Sequence, residues 1–232
     1  MVWQNDRCHA MHLRDDYIVI IRQQTVEFYS IVPRPNIIPT PGAPIAYPLA
    51  QHRFQWRADT INMCEQISWH AARSCRPCPI NVFIRFGSIY PWPVNILHHF
   101  VLTPNPAYVP GRETSLYNLP YLSQPTPVQT IGSPVRLFGP SAVALGKYGT
   151  ALWLDSHTED WLGPSDRGQR LAGKLVSVAA DSSSVNWQDN SKASMVFHVR
   201  EDDMWNRVAV NEQAGRVAVG YENGSITLFE YV

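Results

Sequence analysis

Charge is scarce in this 232-residue chain: 16% of its residues are Asp, Glu, Lys or Arg, and 19 basic residues balance 19 acidic ones. Without a net field or a Lys/Arg run, nothing gathers nucleic acid or an anionic membrane surface. Cysteine is scarce as well. Four cysteines in a chain this long do not suggest a disulfide framework and fit a reducing location, cytoplasmic or nuclear. No apolar stretch approaches the roughly 20 residues that span a bilayer. The opening Met1-Val2-Trp3-Gln4-Asn5-Asp6 lacks the charged-then-apolar layout of a signal peptide. Amphipathic helical periodicity is missing, with room for one short turn within residues 158–171. No glycine cradle for phosphate and no nucleotide fingerprint occurs.

What the chain does have is 45% hydrophobic residues, 11% aromatics, 19 prolines and 13 glycines. That mixture suits an all-β fold with many connections, because proline disrupts helix interiors and settles at edges and turns. Residues 17–32 read as a hairpin: Ile18-Val19-Ile20-Ile21, a break at Arg22-Gln23-Gln24, then Val26, Phe28 and Ile31. Further strand-like segments lie at 52–56, 60–69, 80–86, 94–102, 135–138, 142–145, 151–155, 175–180, 195–200 and 208–211. A proline-rich connection follows Pro33 through Pro48. Another, at 103–130, holds six prolines and reads as a surface excursion. Residues 215–232 close the chain with Val217 and Val219, then Asn223-Gly224, then Ile226 and Leu228. Alternation on both sides of Asn-Gly is a strong hairpin signal and predicts a type I′ turn.

Three hairpins share one shape: a strand rich in Val, Ile or Ala, a polar or glycine-containing break, then a strand with an aromatic residue. They are 18–29, 143–154 and 217–229. Repetition of that unit is what propeller blades produce, at roughly 40–45 residues each. The length then allows about three to five blades, whereas closed propellers typically need about four to eight. A two-sheet β-sandwich is the alternative architecture.

The segment Ala151-Leu152-Trp153-Leu154-Asp155-Ser156-His157-Thr158-Glu159-Asp160-Trp161, with Gly168-Gln169-Arg170-Leu171-Ala172-Gly173, resembles a region of fungal F-box-type proteins. Residues 17–29, 80–102 and 215–231 are similar to blade segments of that group. The resemblance implies a WD-like β-propeller that captures a protein substrate for a cullin-type ubiquitin ligase. Residues 1–16 form a polar segment too short for the F-box itself, so the expected domain is a partial propeller over 17–232. In closed WD-type rings a strand from the amino terminus usually completes the last blade. Residues 1–16 offer little for that role, so 215–232 is expected in a sheet with an unprotected edge.

Asp155-Ser156-His157-Thr158-Glu159-Asp160 gathers three carboxylates, two hydroxyls and a histidine. Neighbours on a strand point to opposite faces, so Ser156 and His157 would diverge, and no nucleophile elbow supports Ser156. Asp155 is expected to end a strand and bond backbone amides of the following turn. Cys64, His70, Cys75 and Cys78 supply four zinc-type ligands at spacings of no standard finger or ribbon, so loop cysteines without a cofactor are expected. His98-His99 should place one ring on each side of a sheet. Of the tryptophans, Trp153 reads as packing. Trp92, between two prolines, and Trp161, in a polar loop, read as partner-binding, together with His157, Glu159 and Asp160. The expectation is a non-enzymatic protein-interaction scaffold with no metal and no cofactor. A carbohydrate-binding propeller using exposed tryptophans is the alternative.

Four stacked sheets

The computed structural model describes residues 7–32, 47–67, 77–87, 96–132, 136–157, 168–176, 195–200 and 204–231. Its described strands form four antiparallel sheets, each built from consecutive strands in chain order. Sheet 1 comprises β1 (Cys8–Arg14), β2 (Tyr17–Arg22), β3 (Thr25–Ser30) and β4 (Ala50–Arg53). Sheet 2 comprises β5 (Ala58–Glu65), β6 (Ile80–Phe86), β7 (Ile96–Leu102) and β8 (Thr126–Gly132). Sheet 3 comprises β9 (Arg136–Leu145), β10 (Thr150–His157), β11 (Gln169–Leu175) and β12 (Met195–Arg200). Sheet 4 has three described strands: β13 (Trp205–Asn211), β14 (Arg216–Tyr221) and β15 (Ile226–Glu230). β1 packs on β5, β5 on β9 and β9 on β13, so the first strands of successive sheets lie side by side. Meandering blades joined through their first strands are the all-β, propeller-like arrangement expected of the sequence, and the described residues form four of them.

The core follows from the pleat. In β2, Tyr17, Val19 and Ile21 are buried while the alternate residues are half-buried, because one face of sheet 1 meets sheet 2. β6 is buried continuously over its first five residues, and so is β10 over residues 151–155. Those strands are covered on both faces. The result is three apolar layers in series. Val19, Ile21 and Phe28 meet Ile80, Val82 and Ile84 in the first. Phe83 and Leu97 meet Val143, Trp153 and Ala172 in the second. Leu152, Leu154 and Leu171 meet Trp205, Val217 and Val219 in the third.

Several expectations are corrected here. The segment 1–16 contains β1, which pairs with β2 through Met11↔Ile20 and Leu13↔Ile18. Its alternation is inverted, with Met11 and Leu13 exposed and His12 and Arg14 half-buried, which kept it from reading as a strand. Residues 136–138 and 142–145 belong to one strand, β9, whose pairing with β10 shifts register between Trp153 and Asp155. The excursion at 103–130 is not wholly superficial. Leu119 and Tyr121 are buried in the first core layer, and residues 126–132 are β8. Pro127 is tolerated there because β8 is an edge strand with β7 as its one described partner.

Asn118 fastens the remainder of that excursion. Its side-chain amide donates to the Val109 carbonyl (3.1 Å) and accepts from the Val109 N–H (2.9 Å). The Tyr17 hydroxyl donates to the Asn118 carbonyl at 2.7 Å, tying the loop to sheet 1.

The closing hairpin forms as expected, but its turn is not type I′. Gly224 has φ +85°, whereas Asn223 is not among the positive-φ residues. The Gly224 N–H donates to the Tyr221 carbonyl (3.0 Å) and the Tyr221 N–H to the Ser225 carbonyl (2.9 Å). This is the longer turn in which a left-handed glycine follows a type I core. Asn223 Oδ1 accepts from the Ser225 N–H at 3.0 Å, a bond that fixes the alternative geometry. β15 has β14 as its one described neighbour, the exposed edge anticipated for this segment.

Candidate functional site

Several polar groups at the sheet interfaces are committed to architecture. Gln169, at the start of β11, is buried and clamps the backbone of Trp205 across the third layer. Its Oε1 accepts the Trp205 N–H (2.6 Å) and its Nε2 donates to the Trp205 carbonyl (2.8 Å). One orientation of the amide satisfies both bonds. At the other end of the same strands, Glu212 in the β13–β14 turn reaches the β9–β10 turn and accepts the N–H groups of Tyr148 (2.6 Å) and Thr150 (2.8 Å). In sheet 1, the buried Glu27 accepts from Tyr29 (2.7 Å), Arg22 (2.9 Å) and Thr25 (3.0 Å). Burial raises its pKa, but those donors outweigh burial and hold the carboxyl below its ordinary value.

Sheets 2 and 3 are joined by a directed chain of hydrogen bonds. Lys174 Nζ can only donate, so its 2.9 Å bond to Gln129 Oε1 fixes the Gln129 amide. Gln129 Nε2 therefore donates to His99 Nδ1 (3.3 Å), and His99 donates from Nε2 to Asn81 Oδ1 (2.9 Å). Asn81 Nδ2 donates to Gln66 Oε1 (3.2 Å), and Gln66 Nε2 to the Val176 carbonyl (3.3 Å). His99 stacks on Phe83 with ring centroids 4.8 Å apart. Burial, helped by the Lys174 charge, pushes its pKa down to about 4. The imidazole is neutral and structural. Its neighbour His98 turns to the other face, among Phe86 and Phe100, which meets the expectation of divergent rings.

The other candidate groups are placed as follows. Asp155 lies inside β10 rather than at its end, and its carboxylate takes a bidentate bond from Arg170 on β11 (2.9 and 3.0 Å). The expected strand end at Asp155 is thus corrected: β10 runs on to His157, and the directly opposed Arg170 supplies a partner. Cys64 and Cys78 are half-buried free thiols whose pKa values burial pushes up, which disfavours the thiolate that metals require. His70 and Cys75 lie outside the described residues. Among the described residues no group of three or more His, Cys, Asp or Glu side chains could hold a metal ion. Trp153 is buried, as expected, and so is Trp205, whereas Trp56 is 55% exposed. His157 closes β10 opposite Arg136 in backbone register, and its side chain is outside the described set. Trp92, Glu159, Asp160 and Trp161 also lie outside it.

A cleft of about 250 Å³ opens between sheets 3 and 4, lined by Leu152, Leu171, Phe197, Val217 and Tyr231 with Glu212 and Arg216 among its polar residues. Its lining is predominantly apolar, and the two Glu212 oxygens are already occupied by backbone amides. The cleft can receive apolar groups; it does not assemble an acid and a base.

The fold is therefore that of part of a β-propeller. No family model matches the chain and no curated protein matches it. Among solved structures, it is similar to the β-propeller domain of Cps50 (Swd1) from Myceliophteria thermophila, at 8% identity and a TM-score of 0.46. The similarity covers 94% of this chain and 51% of that one, so this chain spans about half the length of the solved structure it matches. Among the described residues, no helix is long and apolar enough to cross a membrane.

Proposed function

We propose that this chain is a non-catalytic scaffold that holds a protein partner on the loops and strand edges around its stacked sheets. The observation that carries this reading is the commitment of polar side chains to the frame: Gln169, Glu212, Asp155 and His99 each fasten one strand or sheet to another. Exposed apolar and aromatic side chains such as Trp56, Tyr117, Ile226 and Leu228 are of the kind that anchors protein interfaces. We assign the partner contacts to Trp92, Trp161, His157, Glu159 and Asp160, on their residue types and their sequence setting, Trp92 between two prolines and the others in one polar stretch. Within this reading, the resemblance to F-box-type proteins makes the captured partner a substrate of a cullin-type ubiquitin ligase.

Affinity capture with the full chain tests the scaffold. The expected result is a discrete protein partner whose recovery falls at least about tenfold for Trp92→Ala with Trp161→Ala, the loss expected of a hot-spot pair. Recovery of glycans without protein would overturn it. Absence of cullin-type ligase subunits from a successful capture would overturn the ligase assignment alone.

A further inference from the structure

Sheets 1, 2 and 3 each carry a fourth strand beyond their third: β4, β8 and β12. Sheet 4 carries none among the described residues, and β15 bounds it there. The direction of its backbone groups follows from one bond. The Tyr231 N–H donates to the Gly215 carbonyl at 2.7 Å, on the β14 side. Backbone groups alternate along an antiparallel strand, so Phe229 and Thr227 also face β14, while Ile226, Leu228 and Glu230 turn their N–H and C=O groups outward. Ile226 is 73% exposed and Leu228 55% exposed.

This edge carries few of the features that discourage pairing, and its one charge, Glu230, is paired with Arg216. Natural edge strands are blunted by lysine, proline or bulges. Ile226-Thr227-Leu228-Phe229-Glu230 has no lysine or proline, and its register with β14 is unbroken. The edge is also held in place from within. Phe229 lies 5.3 Å from the His198 ring and Tyr231 lies 5.8 Å from Phe197, fastening β15 to β12 of the preceding sheet.

We infer that β15 is a strand-addition site, taking an extended segment of a protein partner in the place that β4, β8 and β12 occupy in the other sheets. The segment is apolar at alternate positions, where it meets Ile226 and Leu228, and free of proline where it faces their outward amides. Main-chain bonds to Ile226, Leu228 and Glu230 supply affinity, and the alternating side chains supply selectivity. This inference rests on the scaffold reading and adds to it the site and the partner's conformation.

The probe is a synthetic peptide with the sequence Met-Val-Phe-His-Val-Arg, that of β12, and a control peptide with proline in place of its phenylalanine. Amide hydrogen exchange of the full chain is followed by NMR. The expected result is fast exchange at Ile226, Leu228 and Glu230 in the free protein. Saturating peptide should slow it about tenfold or more, as newly formed strand pairing protects amides, and the control peptide should not. Leu228→Pro removes an outward N–H without breaking a β14 bond and should abolish the effect; Leu228→Thr should keep it. Ile226→Lys with Leu228→Lys, which leaves the backbone intact, should abolish it too and stands in if the proline variant does not fold. Unchanged exchange with peptide, or protection already present in the free protein, would overturn the inference. The Lys pair also separates the two readings: a scaffold acting through its loop tryptophans still captures its partner in that variant.

Discussion

Gly146 sits where any side chain would collide with Glu212, because a Cβ there would overlap the Glu212 carboxyl group. The carboxylate cannot simply swing aside, since it holds the Tyr148 and Thr150 amides. A glycine in sheet 3 and a glutamate in sheet 4 are thus one device. Gly146→Ala is expected to destabilise the chain by about 1–3 kcal/mol through overpacking. Glu212→Ala removes the obstacle and orphans two amides, at a similar cost. The double variant should therefore cost clearly less than the sum of the two. Urea denaturation of all four proteins checks the cycle; additive effects would refute the coupling.

His99 makes stability depend on pH. Its folded pKa of about 4 lies below the ordinary 6.5, so the unfolded chain binds a proton that the folded chain refuses. Between those values the unfolded state holds more protons, and stability rises with pH. The contribution is fully present above pH 6.5 and is lost as pH falls towards 4. Between pH 7.5 and 4.5 the loss is about 2–3 kcal/mol. His99→Gln should flatten that part of the profile, measured by chemical denaturation at both pH values. An unchanged slope would refute it.

Gln169→Leu should be more harmful than its similar size suggests. It leaves the Trp205 N–H and carbonyl without their side-chain partner in a buried setting, at a cost of about 2–4 kcal/mol. Calorimetry should show the loss. A fall below about 1 kcal/mol would mean that water takes over the clamp.

Tyr17→Phe tests the tie between sheet 1 and the excursion. Loss of the bond to the Asn118 carbonyl should cost about 1 kcal/mol. It should also expose residues 103–125 to limited proteolysis at lower protease concentration than in the parent chain. Equal cleavage rates would show that the other Asn118 bonds suffice.

Much of the fold was legible because the pleat writes itself into sequence. The alternation of Val217 and Val219, and the apolar run at Ile80, Val82 and Ile84, marked strands by the faces they bury. The exceptions arise where a face is not uniformly apolar. β1 was hidden by His12 and Arg14, and β8 by Pro127, although an edge strand accommodates both. Tyr121 was hidden inside a proline-rich stretch, where local composition says surface and tertiary contact says core. Asn223-Gly224 announced the hairpin but not its geometry, which the Asn223 side chain decides. The clamps were not legible at all. Nothing local distinguishes Gln169 or Glu212 from any other polar residue, because their partners lie 36 and 62 positions away. Of the residues chosen for recognition, Trp92, Glu159, Asp160 and Trp161 fall outside the described chain, so the structural case for binding rests on β15 instead.

Each sheet is drawn from one unbroken stretch of sequence, and each apolar layer is shared only by neighbours in chain order. Folding can therefore keep pace with synthesis, one meander ordering before the next is made, since contacts close in sequence form fastest. Pulse-labelling hydrogen exchange that found all four sheets gaining protection together would contradict this. In such a sequence of events the seam between sheets 3 and 4, which the Gln169–Trp205 clamp begins, is the last to close, and the nascent chain shows its neighbours an unfinished wall until it does.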